Sequence, residues 1–223
     1  STGFAGDRSD ERIERIASWI ELPSALLDLD AGDTTIGHVD STGKAPWGYM
    51  QDVADTEAGV LFIGTTGLVT LHNRTRGYGS SAAVDVSVSA EVIDPGVRLS
   101  SGIAGVVNDI TVSRPGGATV RVVDSVSVST YGVLGEAIDT IGDSDLDALN
   151  RANWELATRS TPVVKLPELT LDGLTEPASA ADVRALDIGS RIEVTDLPAQ
   201  APESIADLRV QGYTERIGAG GWT

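Results

Sequence analysis

Residues 60–74 read VLFIGTTGLVTLHNR, and they carry the clearest fold signal in the chain. Two apolar runs, Val60 to Ile63 and Leu68 to Leu71, flank Gly64-Thr65-Thr66-Gly67. Glycine supplies the positive φ angles of tight turns, so the stretch predicts a β-hairpin. Just upstream, Ala45-Pro46 opens a run that places Trp47, Met50, Val53 and Ala54 on one helical face and ends near Gly59. Proline suits a first helical turn and glycine a helix end, so a helix running straight into the hairpin is expected, its Trp47, Met50 and Val53 packed on the strands.

Further upstream, Ser9 to Glu21 carries Ile13, Ile16, Trp19 and Ile20 at helical spacing, with Asp7 or Ser9 as N-cap and Pro23 beyond the end. The piece between the two helices, LLDLDAGDTTIGHVD (residues 26–40), is rich in turn formers and reads as a connector. Downstream, the pattern switches to alternation. In SSAAVDVSVSAEV (80–92), Ala83, Asp85, Ser87 and Ser89 share one side while Val84, Val86, Val88 and Ala90 share the other, a half-buried strand. Strands are also expected in GVVNDITVSR and ATVRVVDSVSVSTYG, separated by the turn signal Arg114-Pro115-Gly116-Gly117.

Ser144 can cap a helix over about 143–160, with Leu146, Leu149, Asn153 and Leu156 roughly on one face. The remainder returns to strands in PVVKLPELTLDG, IGSRIEVTDLP and DLRVQGYTERIGAGGWT, with a short helix at Ser179 to Leu186. This order predicts an α+β fold with antiparallel sheets. Two domains are expected: residues 1–78, a small α/β domain of two helices and the hairpin, and residues 79–223, a β-rich domain interrupted by one helix.

Composition narrows the function. The chain has 223 residues and a net charge of −17, and Lys44 and Lys165 are its two lysines. Such a surface repels phosphate backbones and anionic lipid, so no nucleic-acid groove is expected. No run approaches the roughly 20 apolar residues of a membrane span, and the N-terminus shows no signal-peptide pattern, which predicts a soluble chain. Cysteine is absent, which removes disulfides, thiol nucleophiles and thiolate metal sites.

Few residues suggest chemistry. His38 and His72 lack a second histidine at ligand spacing, and a structural or solvent-exposed role is expected for each. Asp28, Asp30, Asp33 and Asp40 form the densest carboxylate cluster, and oxygen-rich loops are what calcium requires. The EF-hand pattern fails there, because Asp33 stands at position six and Val39 at position twelve. Caps and turns explain these acids better, as they do Gly142 to Asp147. No serine elbow and no phosphate-binding glycine loop occurs. Trp19, Trp47, Trp154 and Trp222 could line a sugar site, although helical packing is the expected role of the first three. No catalytic, cofactor-binding or metal residue is assigned.

Taken in order, DLDAGDTTI (28–36), EAGVLFIGTTGLVTLHNR (57–74), VVNDITVSRPGG (106–117), LNRANWELATRSTP (149–162), ALDIGSRIEVTDLP (185–198) and RVQGYTERIGAGGWT (209–223) resemble the tail hub or minor tail proteins of long-tailed phages, particularly those of actinobacteria. The resemblance runs from about Glu11 to Thr223. It implies the fold family of baseplate hubs and late-control-D proteins, with barrel-like β domains and α/β inserts. It further implies a homo-oligomeric ring, commonly a trimer, at the virion tail tip. Partners there are the distal tail protein, the tape measure and tip or fibre proteins. No catalytic residue carries over. Full hubs have a preceding N-terminal portion, so the resemblance implies that this chain is part of a longer protein. Two rival readings are a receptor- or glycan-binding module, marked by an exposed aromatic patch, and a cell-wall hydrolase, which needs convergent acids or a metal.

Overall fold

Helix α1 (Ser9–Trp19) follows a two-residue strand β1 (Asp7–Arg8) and buries Ile13, Ile16 and Ala17, the stripe visible in its sequence. A computed structural model describes residues 5–40, 42–77, 81–87, 102–163, 165–170, 177–197, 199, 201, 204–218 and 221–222. The N-cap of α1 is Arg8, not Asp7 or Ser9, because both of those side chains are engaged elsewhere. Glu11 accepts the Arg8 amide at 2.9 Å, Asp7 binds Arg12 and Arg15, and Ser9 reaches Glu57.

The stretch expected to be a plain connector contains two strands, β2 (Leu27–Leu29) and β3 (Thr35–Ile36). Leu27 and Leu29 alternate with Asp28, and that short pattern suffices once a partner strand lies alongside. Helix α2 (Pro46–Glu57) then leads into β4 (Val60–Ile63) and β5 (Val69–His72), the expected hairpin. Leu61 faces Leu71 and Phe62 faces Thr70 across it. Gly67 turns the chain at φ +81, and the Gly64 amide donates to the Leu68 carbonyl at 2.9 Å. The sheet order is β2-β5-β4, with β2 parallel to β5.

Tyr49, Met50, Val53 and Ala54 of α2 pack with Ile13, Ile16, Ala17, Ile36 and Leu71 into one core, against which Leu27, Leu29 and Leu61 lie. This corrects the expected face: Trp47 is exposed at the helix start, and Val60 is exposed on the strand. The helix ends at Ala58, which itself adopts the left-handed conformation expected of the neighbouring Gly59. Ser9 at the start of α1 meets Glu57 at the end of α2, while Trp19 at the end of α1 stacks on Tyr49 near the start of α2. The two helices therefore run antiparallel.

Strands β7 (Asp109–Ser113) and β8 (Val120–Val123) form a hairpin through the turn at Arg114-Pro115-Gly116-Gly117. The sequence pattern suggests that the strand continues beyond β8, but helix α3 (Ser125–Tyr131) forms instead. Asp124 causes the switch: its carboxylate accepts the amides of Val126 and Ser127, each at 3.0 Å. Strand β9 (Gly135–Asp139) returns parallel to β7, in the order β8-β7-β9. Helix α4 (Asp145–Arg159) is capped by Ser144, as expected, and covers this sheet. Its buried face is Ala148, Ala152, Glu155 and Leu156; Leu146 and Leu149 point to solvent. The small alanines let the helix lie close on Ile110 and Val112, and the larger leucines are left outside.

These elements form one compact unit, residues 1–76 with 103–162. Residues 103–162 were expected to belong with the second half of the chain. Local bonds tie them to the first: Ile36 bridges to Gly142, Thr35 Oγ1 donates to Asp147 at 2.8 Å, and the Ile141 amide donates to Thr56 Oγ1 at 3.1 Å.

The second unit comprises residues 77–102 and 163–223. Strands β6 (Val84–Ser87), β10 (Arg191–Thr195) and β11 (Ala206–Arg209) are ordered β11-β10-β6, and helix α5 (Pro177–Arg184) precedes β10. Val84, Val86, Ile192, Val194 and Ala206 make its core. Val84 and Val86 are buried and Asp85 is exposed, as the alternation predicts. The strand expected beyond Ser87 in residues 88–92, and part of PVVKLPELTLDG, lie outside the described residues. Strands β12 (Ile217–Gly218) and β13 (Gly221–Trp222) pair as a small hairpin.

The fold is α+β with mixed sheets, none closed into a barrel among the described residues. Sequence suggested antiparallel pairing throughout, yet β2–β5, β6–β10 and β7–β9 are parallel. Parallel neighbours require a crossover, supplied by the α2 segment for β2–β5 and by α3 for β7–β9.

Candidate functional site

Several ionisable groups among the described residues are held in structural ion pairs. Arg12, buried in the core of the first unit, donates to Asp7 at 3.0 Å, to the Tyr49 hydroxyl at 2.7 Å, and to the carbonyls of Ile36 and Gly37 at 3.3 Å. Glu57, also buried, accepts from Ser9 Oγ at 2.9 Å, the Thr34 amide at 2.9 Å and the Asp33 amide at 3.2 Å. Neither charge was apparent as a core element in the sequence. The signal was present in position: Arg12 adjoins Ile13 on the buried stripe, and Glu57 lies one turn beyond Val53 and Ala54 on the buried face of α2.

Arginine partners depress several carboxylates. Hydrogen bonding to Arg15, opposed by burial and aided by Arg12, lowers the Asp7 pKa. Arg121 lowers Asp109, Arg159 lowers Glu136, Arg114 lowers Asp145, and Arg191 lowers Asp207 in the same way. A carboxylate held this firmly ionised is a weak general base and has no proton to give at neutral pH. These pairs staple strands and helices together; Arg159 on α4, for instance, grips Glu136 on β9 at 2.6 Å.

The residues singled out in sequence fall apart in space. His38 is exposed in a loop, and His72 ends β5 with its ring edge-on to Phe62 at 4.9 Å. Asp30 binds Arg76 at 2.5 Å and the Asn73 amide at 3.2 Å; Asp33 accepts from Thr75, and Asp40 from the Thr42 amide. Asp28 lies exposed on β2. The aspartate cluster thus fastens loops, and no group of three metal-capable side chains gathers among the described residues. Gly142 to Asp147 joins α4 to β3 through Ser144, Asp147 and Thr35. No described helix is long and apolar enough to cross a membrane.

What remains is surface. An open groove between α2 and β4 is lined by Gly48, Gln51, Asp52, Asp55, Val60 and Leu61. Trp19 and Trp47 are more exposed than their helical positions suggested, although Trp19 stacks on Tyr49. Trp19 is 47% exposed and Trp47 37% exposed, with Ile20 and Leu26 also exposed nearby in sequence. Trp154 on α4 is half-buried, and Trp222 lies in β13. Val126 in α3 is also exposed, as are Val123 before the helix and Val133 after it.

Fold and surface together define an α+β protein built from small open sheets, fastened by ion pairs and bearing exposed apolar groups. That fold is shared with the tail protein of Neisseria meningitidis MC58, at a TM-score of 0.53 and 10% identity, over 85% of this chain and 57% of that one. The 43 kDa tail protein of prophage MuSo2 from Shewanella oneidensis matches at a TM-score of 0.49 and 18% identity, over 86% of this chain and 55% of that one. The chain spans little more than half the length of these two solved structures. No protein-family model and no curated protein matches the chain.

Proposed function

We propose that this chain is part of a structural protein of a phage tail, a hub or minor tail protein, which self-assembles into a ring where the tail tube meets the tip. The observation that carries this reading is the fold shared with the Neisseria tail protein over 85% of the chain. Residues 28–36 and 57–74, quoted above for their resemblance to tail hubs of actinobacterial phages, supply β2, β3 and the hairpin of the first unit, which agrees with the α/β insert of such hubs.

The work of such a protein is assembly. Closed symmetry of identical subunits creates a passage without any catalytic group, so the reading assigns no active site, metal or cofactor. A trimer is the expected ring order, with the distal tail protein, the tape measure and tip or fibre proteins as neighbours in the virion. A net charge of −17 keeps DNA from adhering to such a ring during ejection.

Electron microscopy of the full-length protein in its native assembly, with this chain carrying a specific label, tests the proposal. Label in a small ring at the end of a tail tube is expected. Label on a fibre, or on a free monomer, overturns it in favour of receptor binding.

A further inference from the structure

We propose that the outer edge of β4 takes up an extended, lysine- or arginine-bearing segment of another protein as an added strand, seated in the groove between β4 and α2. The site stands independently of the ring reading above.

In the sheet order β2-β5-β4, strand β4 is outermost, and no described strand pairs with its far side. The Gly64 amide donates to the Leu68 carbonyl, and the two strands continue in that register, with Phe62 opposite Thr70 and Val60 opposite His72. Antiparallel pairing alternates along a strand. Residues 60, 62 and 64 therefore direct their N–H and C=O groups at β5, whereas Leu61 and Ile63 direct theirs outward. An extended chain laid alongside can pair with both residues, and such main-chain bonds give added strands their affinity.

The groove supplies contacts for side chains. Gly48, Gln51, Asp52 and Asp55 of α2 form one wall at helical spacing, and Val60 and Leu61 of β4 form the other, around a volume of about 560 Å³. A Cβ on Gly48 would meet nothing within 4 Å, so the groove is open toward the start of α2. Leu61 packs on the core beneath α2, while Ile63, on the same face, is 64% exposed. A strand paired with β4 alternates its side chains as β4 does, so one of its rows turns toward the α2 wall.

Charge selects the occupant. The groove lining carries the carboxylates of Asp52 and Asp55 and no cation. Two cations adjoin it, and each has its own carboxylate: Lys44 binds Asp52 at 2.6 Å in an exposed pair, and Arg151, which reaches the Asp55 carbonyl, binds Glu155 at 2.8 Å. Exposed pairs such as Lys44–Asp52 are weak and exchange readily for a competing cation. The net charge of −17 adds a field that attracts a basic segment and repels an acidic one, a second copy of this chain included.

The test titrates the full chain with a capped peptide of alternating lysine and valine at about 0.15 M ionic strength, followed by calorimetry and by amide hydrogen exchange in NMR. Saturable binding is expected, with exchange slowed at the Leu61 and Ile63 amides. Two N-methylated forms of the peptide, one altered at the lysines and one at the valines, keep its charge. The form that loses the paired donors is expected to bind about tenfold more weakly. Asp55→Asn should weaken binding of the parent peptide about two- to fivefold. Absence of binding overturns the proposal, and so does protection that falls elsewhere than β4. Equal binding of both methylated forms overturns strand pairing. Equal binding of a glutamate–valine peptide overturns the basic occupant. Slowed exchange at Leu61 and Ile63 that grows with the concentration of the protein alone makes a second copy the occupant and overturns it as well.

Discussion

Ser9, the first residue of α1, donates its hydroxyl hydrogen to Glu57, the last residue of α2, across 2.9 Å in a fully buried setting. The same carboxylate accepts the Thr34 amide, so one side chain holds two helices and the β3 approach together. Glu57→Ala leaves several buried donors without an acceptor, each costing about 1–3 kcal/mol. A loss of roughly 3 kcal/mol or more in urea unfolding is expected, and Glu57→Gln, which keeps one acceptor oxygen, should lose distinctly less. Equal losses would show that negative charge, not hydrogen bonding, holds the loop.

The Asp7 clamp sets an acid limit on stability. Its carboxyl pKa is lowered chiefly by the Arg15 hydrogen bond, with Arg12 adding to it. A carboxylate depressed in the folded state contributes fully above its unfolded pKa of about 3.9, and that contribution fades as pH falls through the lower folded value. Wild type should therefore exceed Asp7→Asn in urea midpoint by a constant margin from pH 5 to 7. The margin should shrink below about pH 4. A margin unchanged down to pH 2 would exclude this linkage.

Strand β4 offers a contrast between neighbours on one face. Phe62 is buried against His72, whereas Val60 is exposed. Phe62→Ala should cost about 3 kcal/mol, the lower end for a buried phenylalanine, and Val60→Ala less than about 0.5 kcal/mol. Thermal melts of both variants check the pair. A neutral Phe62→Ala would mean that this sheet face contributes little.

The end of α2 allows paired substitutions of opposite sign. Ala58 sits at φ +59, a conformation that costs an L-residue about 1–2 kcal/mol and glycine almost nothing. Ala58→Gly should stabilise by about 0.5 kcal/mol after the entropy cost of glycine. Gly59→Ala should destabilise by about 1–3 kcal/mol, because its new Cβ would lie 2.5 Å from the backbone oxygen of His72. Chemical denaturation of the two variants measures both signs.

Asp124 decides that α3 is a helix. Asp124→Ala should cost about 1 kcal/mol and speed amide exchange at Val126 and Ser127, the two amides it caps. Unchanged exchange there would show that packing of Ser127 alone holds the helix.

The sequence by itself determined the local elements. The 3–4 spacing of Ile13 and Ile16, Pro46 at a helix start, the glycines around Thr65-Thr66 and the Ser144 cap each act within a few residues, so periodicity and capping reveal them. Only the tertiary structure decided which strands are parallel, that Asp124 turns a strand-like valine run into α3, and that residues 103–162 fold with residues 1–76. Long-range partners make those choices: β2 is a strand because β5 lies beside it, and Arg12 is tolerable in a core because Asp7 and Tyr49 meet it there. Trp19 and Ile20 follow the apolar period of α1 as faithfully as Ile16 does. Whether an apolar residue enters the core or stays on the surface depends on where the second helix begins, and no local pattern encodes that.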